Sequence, residues 1–218
     1  MPDEPLEEVP EVANPLSPAT PQAITQTKLL LGEGMEEVFF FNALLKHLGI
    51  GNVQVEQAGS KDNFRNFIAT LPVRPGFLNL EAIAITRDAD DNATGAFESV
   101  CTALEQANLP KPAHVATYTA GNPRVGVFIL PNCNDVGMLE DLCLASVASD
   151  IAIPCIDEFF RCVETAGRRS NNLVKARVQA WLASQVRPHR RLGEAAQAGC
   201  LNWNDPAFNP LKQFLTQL

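Results

Sequence analysis

The chain reads as an α/β protein with about four mainly parallel strands flanked by helices and a helical C-terminal extension. Short apolar runs recur along it, each closed by turn residues and followed by a helical pattern. Acidic residues stand where two of these runs end: Glu33 after Leu29-Leu30-Leu31, and Asp88-Ala89-Asp90 after Ala82-Ile83-Ala84-Ile85. Strands that are apolar throughout are those buried on both faces of a parallel sheet, and helical crossovers are the connections such a sheet requires. Open α/β sheets hold their ligands at the carboxyl ends of the strands. Both sets of acids are therefore expected at one edge of one sheet.

The elements follow in order from residue 27. A first strand over 27–31 leads into Gly32-Glu33-Gly34, whose glycines let the backbone bend tightly and leave room for a ligand. A helix over 35–48 carries Val38, Phe39, Phe41, Leu44, Leu45 and Leu48 at core spacing and closes on Gly49. Residues 53–57 alternate as a second strand, the Gly59-Ser60 turn follows, and a helix runs over about 62–70. The third strand covers 80–86. A helix over 93–107 turns Phe97, Val100, Cys101 and Leu104 inward, with Asp91 or Asn92 available as its cap. A fourth strand over 125–130 stops at Pro131. The remainder is helical over about 138–148, 154–165, 171–185 and 193–198, and ends in an amphipathic segment over 210–218. This tail is expected to pack on one side of the sheet.

Residues 1–25 are different in kind. Pro2, Pro5, Pro10, Pro15, Pro18 and Pro21 stand among acids and small residues. Such a stretch cannot bury enough apolar surface to offset its ordering entropy, which predicts a disordered acidic arm. Residues 26–218 are expected to form a single domain with a sizeable core. No apolar run approaches the roughly 20 residues of a membrane helix, and the N-terminus lacks the basic-then-apolar pattern of a signal peptide. A cytoplasmic protein with no membrane partner is the expectation. The six cysteines are scattered, with no C-x-x-C pair and no histidine at zinc-ligand spacing; buried, reduced thiols such as Cys143 in Leu142-Cys143-Leu144 are expected. His47 falls in the last turn of the first helix, and His114 and His189 fall in loops near prolines; none pairs with a serine or cysteine nucleophile.

The net charge of −8 is unevenly distributed. Asp3, Glu4, Glu7, Glu8 and Glu11 precede the first basic residue, Lys28. Between Arg161 and Arg191 the sign reverses, and Arg161, Arg168, Arg169, Lys175, Arg177, Arg187, Arg190 and Arg191 face a single acid, Glu164. Such a segment suits a protein that grips phosphates; a solvated basic surface is the alternative.

The two acidic motifs carry the chemistry. Glu37 lies four residues after Glu33, on the same helix face. In an extended segment Asp88 and Asp90 point one way while Ala89 turns aside. Carboxylates forced together repel, and such a cluster ordinarily exists to hold a divalent metal. Glu36 is read as a first-turn acid complementing the helix dipole.

A glutamate after the first strand in a G-E-G-x-x-E context, followed by D-x-D after a later strand, resembles a Toprim domain, the domain shared by topoisomerases, DnaG-type primases and the overcoming-lysogenization-defect (OLD) nucleases. The resemblance extends to a small Toprim-like family of bacterial proteins, the DUF3226 type. It runs through Gly126 to Asn132, Gly137-Met138-Leu139-Glu140-Asp141, Lys175-Ala176 with Trp181-Leu182-Ala183, and Leu192-Gly193, and spans nearly everything from residue 27 onward. By that resemblance the fold is Toprim-like and Rossmannoid, Glu33 is the catalytic Toprim glutamate, and Asp88 and Asp90 are the D-x-D metal ligands. Glu37 and Glu140, with Asp141 beside it, occupy the positions that bind a second metal in the OLD branch. Lys175 is the candidate for the lysine that assists phosphate chemistry there, a surface lysine being the alternative. Tyr118, the single tyrosine, lies in a loop and argues against a topoisomerase's tyrosyl transfer.

The function expected is Mg²⁺- or Mn²⁺-dependent phosphodiester hydrolysis on nucleic acid, most simply DNA gripped without sequence preference. Arg168, Arg169, Arg187, Arg190 and Arg191 would hold the strand and Glu33, Glu37, Asp88, Asp90 and Glu140 the metal. The rival is a non-catalytic metal- or nucleotide-binding module acting through a protein partner. Hydrolysis of a small nucleotide is a third reading.

Overall fold

Four strands, β1 (Lys28–Gly32), β2 (Val53–Gln57), β3 (Ala82–Asp88) and β4 (Arg124–Leu130), form one parallel sheet in the order β2-β1-β3-β4. In the computed structural model the described residues are 23–218 except Ser60 and Arg190, and the side chains of Lys61 and Asp62 are not among them. The helices are α1 (Met35–Leu48), α2 (Lys61–Thr70), α3 (Ala93–Gln106), α4 (Leu139–Ser146), α5 (Ala152–Thr165), α6 (Leu173–Ser184), α7 (Leu192–Gln197) and α8 (Asn209–Leu215). The alternation and the helical tail expected from the sequence are both present. No helix among the described residues is long and apolar enough to cross a membrane.

The two-residue period of a strand divides the core in two. Leu29, Leu31, Ile83, Ile85, Val127 and Ile129 face one side, where Phe64 and Ile68 of α2 and Val100 and Leu104 of α3 cover them. Leu30, Ala82, Ala84, Phe128 and Leu130 face the other, beneath α1, α4 and the C-terminal helices. Small alanines in β3 on that face make room for aromatic bulk: Phe40 meets Phe41 and Trp203 edge-on at 5.3 and 5.2 Å between centroids, and Phe128 lies 5.4 Å from Phe214.

Several local expectations shift, each for a packing reason. β3 runs to Asp88 rather than stopping at Thr86, because β4 offers partners as far as Asp88↔Leu130. The buried stripe of α1 is Glu37, Phe40, Phe41, Leu44 and Leu45, while Val38, Phe39 and Leu48 are only half-buried. That rotation turns Glu37 inward. Not every cysteine is buried: all six are free and Cys143 lies in the core, but Cys155 and Cys162 are exposed because α5 buries only Ile156. Tyr118 is not a loose loop residue; its ring stacks on Phe214 at 5.0 Å, and burial pushes its hydroxyl pKa up. The expectation of a disordered arm lies outside the described residues over 1–22. Its last residues join the body: Ile24 is buried and its N–H donates to the Pro75 carbonyl at 2.9 Å.

Candidate functional site

The parallel register Leu31↔Ile85 brings the exits of β1 and β3 to the same sheet edge. Glu33 leaves β1 there, and its Oε1 accepts the Asp88 N–H at 3.3 Å. The two acidic motifs, 55 residues apart in sequence, therefore touch. Glu37 joins them because Gly32 lets α1 sit close over the strand end: a Cβ on Gly32 would fall 2.7 Å from the Glu37 Cβ. The Glu37 Oε2 accepts the Gly34 N–H at 2.9 Å, so this carboxylate also caps its own helix.

A second helix start closes the ring. Asp90 and Gly137 exchange two backbone hydrogen bonds, of 2.9 and 2.7 Å, which tie the exit of β3 to the entry of α4. The Leu139 N–H then donates to Asp88 Oδ1 at 3.0 Å. Glu140 follows, and Lys175 from the first turn of α6 lies 3.6 Å from its Oε1. Asp141 accepts the Met138 N–H at 2.8 Å as a helix cap.

Electrostatics identify Asp88 as the centre. Its carboxyl pKa is pushed up to about 8, first by burial and then by Glu33, Glu37 and Glu140. Burial raises Glu33 as well, against the pull of the Arg87 guanidinium and the Asp88 N–H, with Asp90 and Glu37 pushing it further up. Glu37 is raised by burial and by Glu140, opposed by its hydrogen bonds and by Lys175. Among the described residues, however, no three histidine, cysteine or acidic side chains draw together closely enough to form a metal shell. Each acid leans on a different partner instead: Glu33 on Arg87, Glu37 on its cap, Asp88 on α4 and Glu140 on Lys175. The donor set is all carboxylate, the hard-oxygen chemistry that Mg²⁺ and Mn²⁺ prefer.

One geometric expectation fails. The segment from Asp88 to Asp90 is not extended, because Asp90 takes a left-handed φ of 51° within its bridge to Gly137. Asp88 and Asp90 therefore do not point one way by strand alternation. Asp90 is exposed and bears on Glu33.

The basic residues do not form one strip. Arg168, Arg169, Arg187 and Arg191 are all exposed, and Arg190 lies outside the described residues. Arg168 and Arg169 line a groove between α5 and α6 that Arg187 and Arg191 do not reach. Arg191 instead sits 3.9 Å from Glu36.

Two contributors escaped the sequence reading. Arg87 is buried at the end of β3, 3.4 Å from Glu33, with its Nη1 donating to Ser99 Oγ at 3.2 Å. The signal was a basic residue inside an otherwise apolar strand, directly before an acidic pair. Glu36 is more than a first-turn acid: its Oε2 accepts the Gly193 N–H at 2.7 Å, locking α7 onto α1. A Cβ at Gly193 would lie 2.6 Å from the Phe39 Cβ, which explains a glycine inside that short helix.

A family model described as "Protein of unknown function (DUF3226)" matches residues 27–218. Among solved structures, the C-terminal region of the Xanthomonas campestris pv. campestris OLD protein phased with mercury is similar at a TM-score of 0.38 and 16% identity, over 89% of this chain and 87% of that one. The same region phased with platinum gives 0.34 and 17%, over 88% and 83%. No curated protein matches the sequence.

Proposed function

The chain belongs to the DUF3226 family, and from that footing we propose that it is a divalent-metal-dependent phosphodiesterase acting on nucleic acid. The observation that carries the reading is that three acids from two separate segments, Glu33, Glu37 and Glu140, bear on one buried carboxyl group, Asp88. A protein gains nothing in stability from gathering like charges in a half-buried place. A cation is the partner that turns such a gathering into a favourable one.

Glu33, Glu37, Asp88, Asp90 and Glu140 are the residues that would hold Mg²⁺ or Mn²⁺. Bound there, the ion would supply a lowered pKa for attacking water and positive charge toward the phosphodiester. Glu33, its proton affinity raised by burial, is suited to accept and return a proton. Lys175, exposed and tethered only at 3.6 Å to Glu140, is free to turn toward a phosphate oxygen and offset its charge. Arg168, Arg169, Arg187, Arg190 and Arg191 would hold DNA by its backbone, without sequence preference and with strong salt dependence. The free state of all six cysteines suits a reducing compartment, and the reading places the activity in the cytoplasm.

The test is plasmid nicking with Mn²⁺, comparing the wild type with Asp88→Ala. Nicking by the wild type that EDTA stops and the variant lacks supports hydrolysis; equal nicking by both proteins overturns it. A second reading, a non-catalytic metal-binding module working through a protein partner, is favoured by the spread of the acids onto separate partners. Calorimetric binding of one tight cation with no nicking would decide for it.

A further inference from the structure

The segment from α5 into α6 has a feature that the rim chemistry leaves unused. α5 buries only Ile156, and Phe159 is 55% exposed. The Phe159 ring meets Phe160 edge-on at 5.0 Å between centroids and is otherwise largely uncovered. It lies in a groove of about 840 Å³ whose walls carry Arg161, Arg168, Arg169 and Arg177. Arg161 pairs with Glu158, Arg169 lies 3.4 Å from Glu164, and Arg177 lies 2.6 Å from Asp157. Arg168 makes no ion pair among the described residues. The groove thus combines a flat apolar surface with surplus positive charge.

Its position matters as much as its composition. Leu173, at the start of α6, lines the groove and is 50% exposed. Two residues further on the same helix is Lys175, which reaches Glu140 in the acid ring. Asn172 caps α6 by accepting the Lys175 N–H at 2.9 Å, and its side-chain amide lies 3.9 Å from the Met138 sulfur at the head of α4. The start of α6 thus borders the groove through Leu173 and the head of α4 through Asn172.

We propose that this groove binds single-stranded nucleic acid, with a base stacked on Phe159 and flanking phosphates on the arginines. The proposal rests on the nucleic-acid reading above and narrows it to an unpaired strand. A duplex keeps its base faces covered by neighbouring pairs and has nothing to offer the ring. An unpaired base offers a π-face whatever its identity, and stacking on an aromatic is the sequence-tolerant grip that single-strand binders use. Arginines on the same walls supply the backbone contacts.

The experiment is fluorescence anisotropy in EDTA, so that cleavage plays no part, with a short labelled oligothymidylate and a duplex of equal length. The single strand is expected to bind at least roughly fivefold tighter than the duplex. Phe159→Ala should weaken it by roughly five- to a hundredfold, leaving the slope of log Kd against log salt unchanged, and Phe159→Trp should restore it. Arg168→Glu with Arg169→Glu should reduce that slope by about 1–2 units. Absence of binding, equal affinity for the duplex, or indifference to Phe159→Ala overturns the proposal. So does a change of oligomeric state in Phe159→Ala by sedimentation, which would assign the groove to a second copy of the chain. Metal-dependent nicking in a protein whose strand binding ignores Phe159 sinks the groove and leaves hydrolysis standing. Phe159-dependent strand binding without nicking does the reverse.

Discussion

Around Asp88 the carboxylates of Glu33, Glu37 and Glu140 are at least partly enclosed and each held by a specific partner, whereas in the α5–α6 groove most of the arginines stand in solvent beside an uncovered phenylalanine. The two regions share α6, with Lys175 at one and Leu173 and Arg177 at the other. They differ in what surrounds the charge. At the rim, burial itself disfavours the charged form of Asp88, and repulsion from Glu33, Glu37 and Glu140 adds to it, so a proton is held there near neutral pH. In the groove, solvent and salt screen the same kind of force within a Debye length of roughly 8–10 Å. Strong, short-range electrostatics suit chemistry at a point; weak, screened electrostatics suit a sliding grip on a backbone. The comparison predicts that changes at the rim alter rate and stability, and that changes in the groove alter affinity alone.

The sharpest break falls at the centre of the rim. Asp88→Ala should lower Mn²⁺-dependent nicking at least about a hundredfold, read as the rate of loss of supercoiled plasmid. A groove variant should leave the rate at saturating DNA near that of the wild type.

Next in size is a change that touches no acid. Gly32→Ala places a methyl group 2.7 Å from the Glu37 Cβ, so the start of α1 must move, at a cost of about 1–3 kcal/mol. Denaturant unfolding measures that cost, and a full-stability variant would show that Glu37 is not held by this close approach.

Proton linkage gives the third test. The folded pKa of Asp88, about 8, lies above its unfolded value of 3.8. Between those values the folded state binds the extra proton, so the stability that this group contributes is fully present below about pH 4 and is lost as pH rises through 8. In EDTA the melting temperature should therefore fall over that interval. Asp88→Asn cannot ionise and can still accept the Leu139 N–H. It should flatten the decline and be more stable than the wild type by about 1–3 kcal/mol above pH 8. Added Mg²⁺ or Mn²⁺ should raise the wild-type melting temperature more at high pH, where no proton need be displaced. A flat wild-type profile would remove the buried-charge account of the rim.

The smallest effect belongs to the groove. Arg168→Ala with Arg169→Ala should change stability by no more than about 0.5 kcal/mol, since both side chains are exposed. A larger loss would make the basic segment part of the scaffold.

Much of this molecule was legible before its coordinates. Hydrophobic period and turn residues are local properties, and they place β1, α1, β2, α3 and β4 within a residue or two of where they lie. The rule that ligands gather at strand ends put Glu33 and Asp88 on one edge, and they are in contact there. Arg87 was hidden because a strand's length is set by its partner: only the pairing with β4 carries β3 far enough to bury a guanidinium behind the acids. Asp90 departed from its expected geometry for a similar reason, its backbone being claimed by Gly137, 47 residues away in sequence.

Chain-local chemistry was thus sufficient to define the strands and to place two acidic motifs at their ends, because period, composition and turn residues act over a few neighbours. Tertiary packing alone settled how those acids are partnered, how Glu36 and Gly193 lock two helices 157 residues apart, and why Phe159 is left uncovered. Those outcomes depend on which surfaces meet in space, and no short stretch of chain records that.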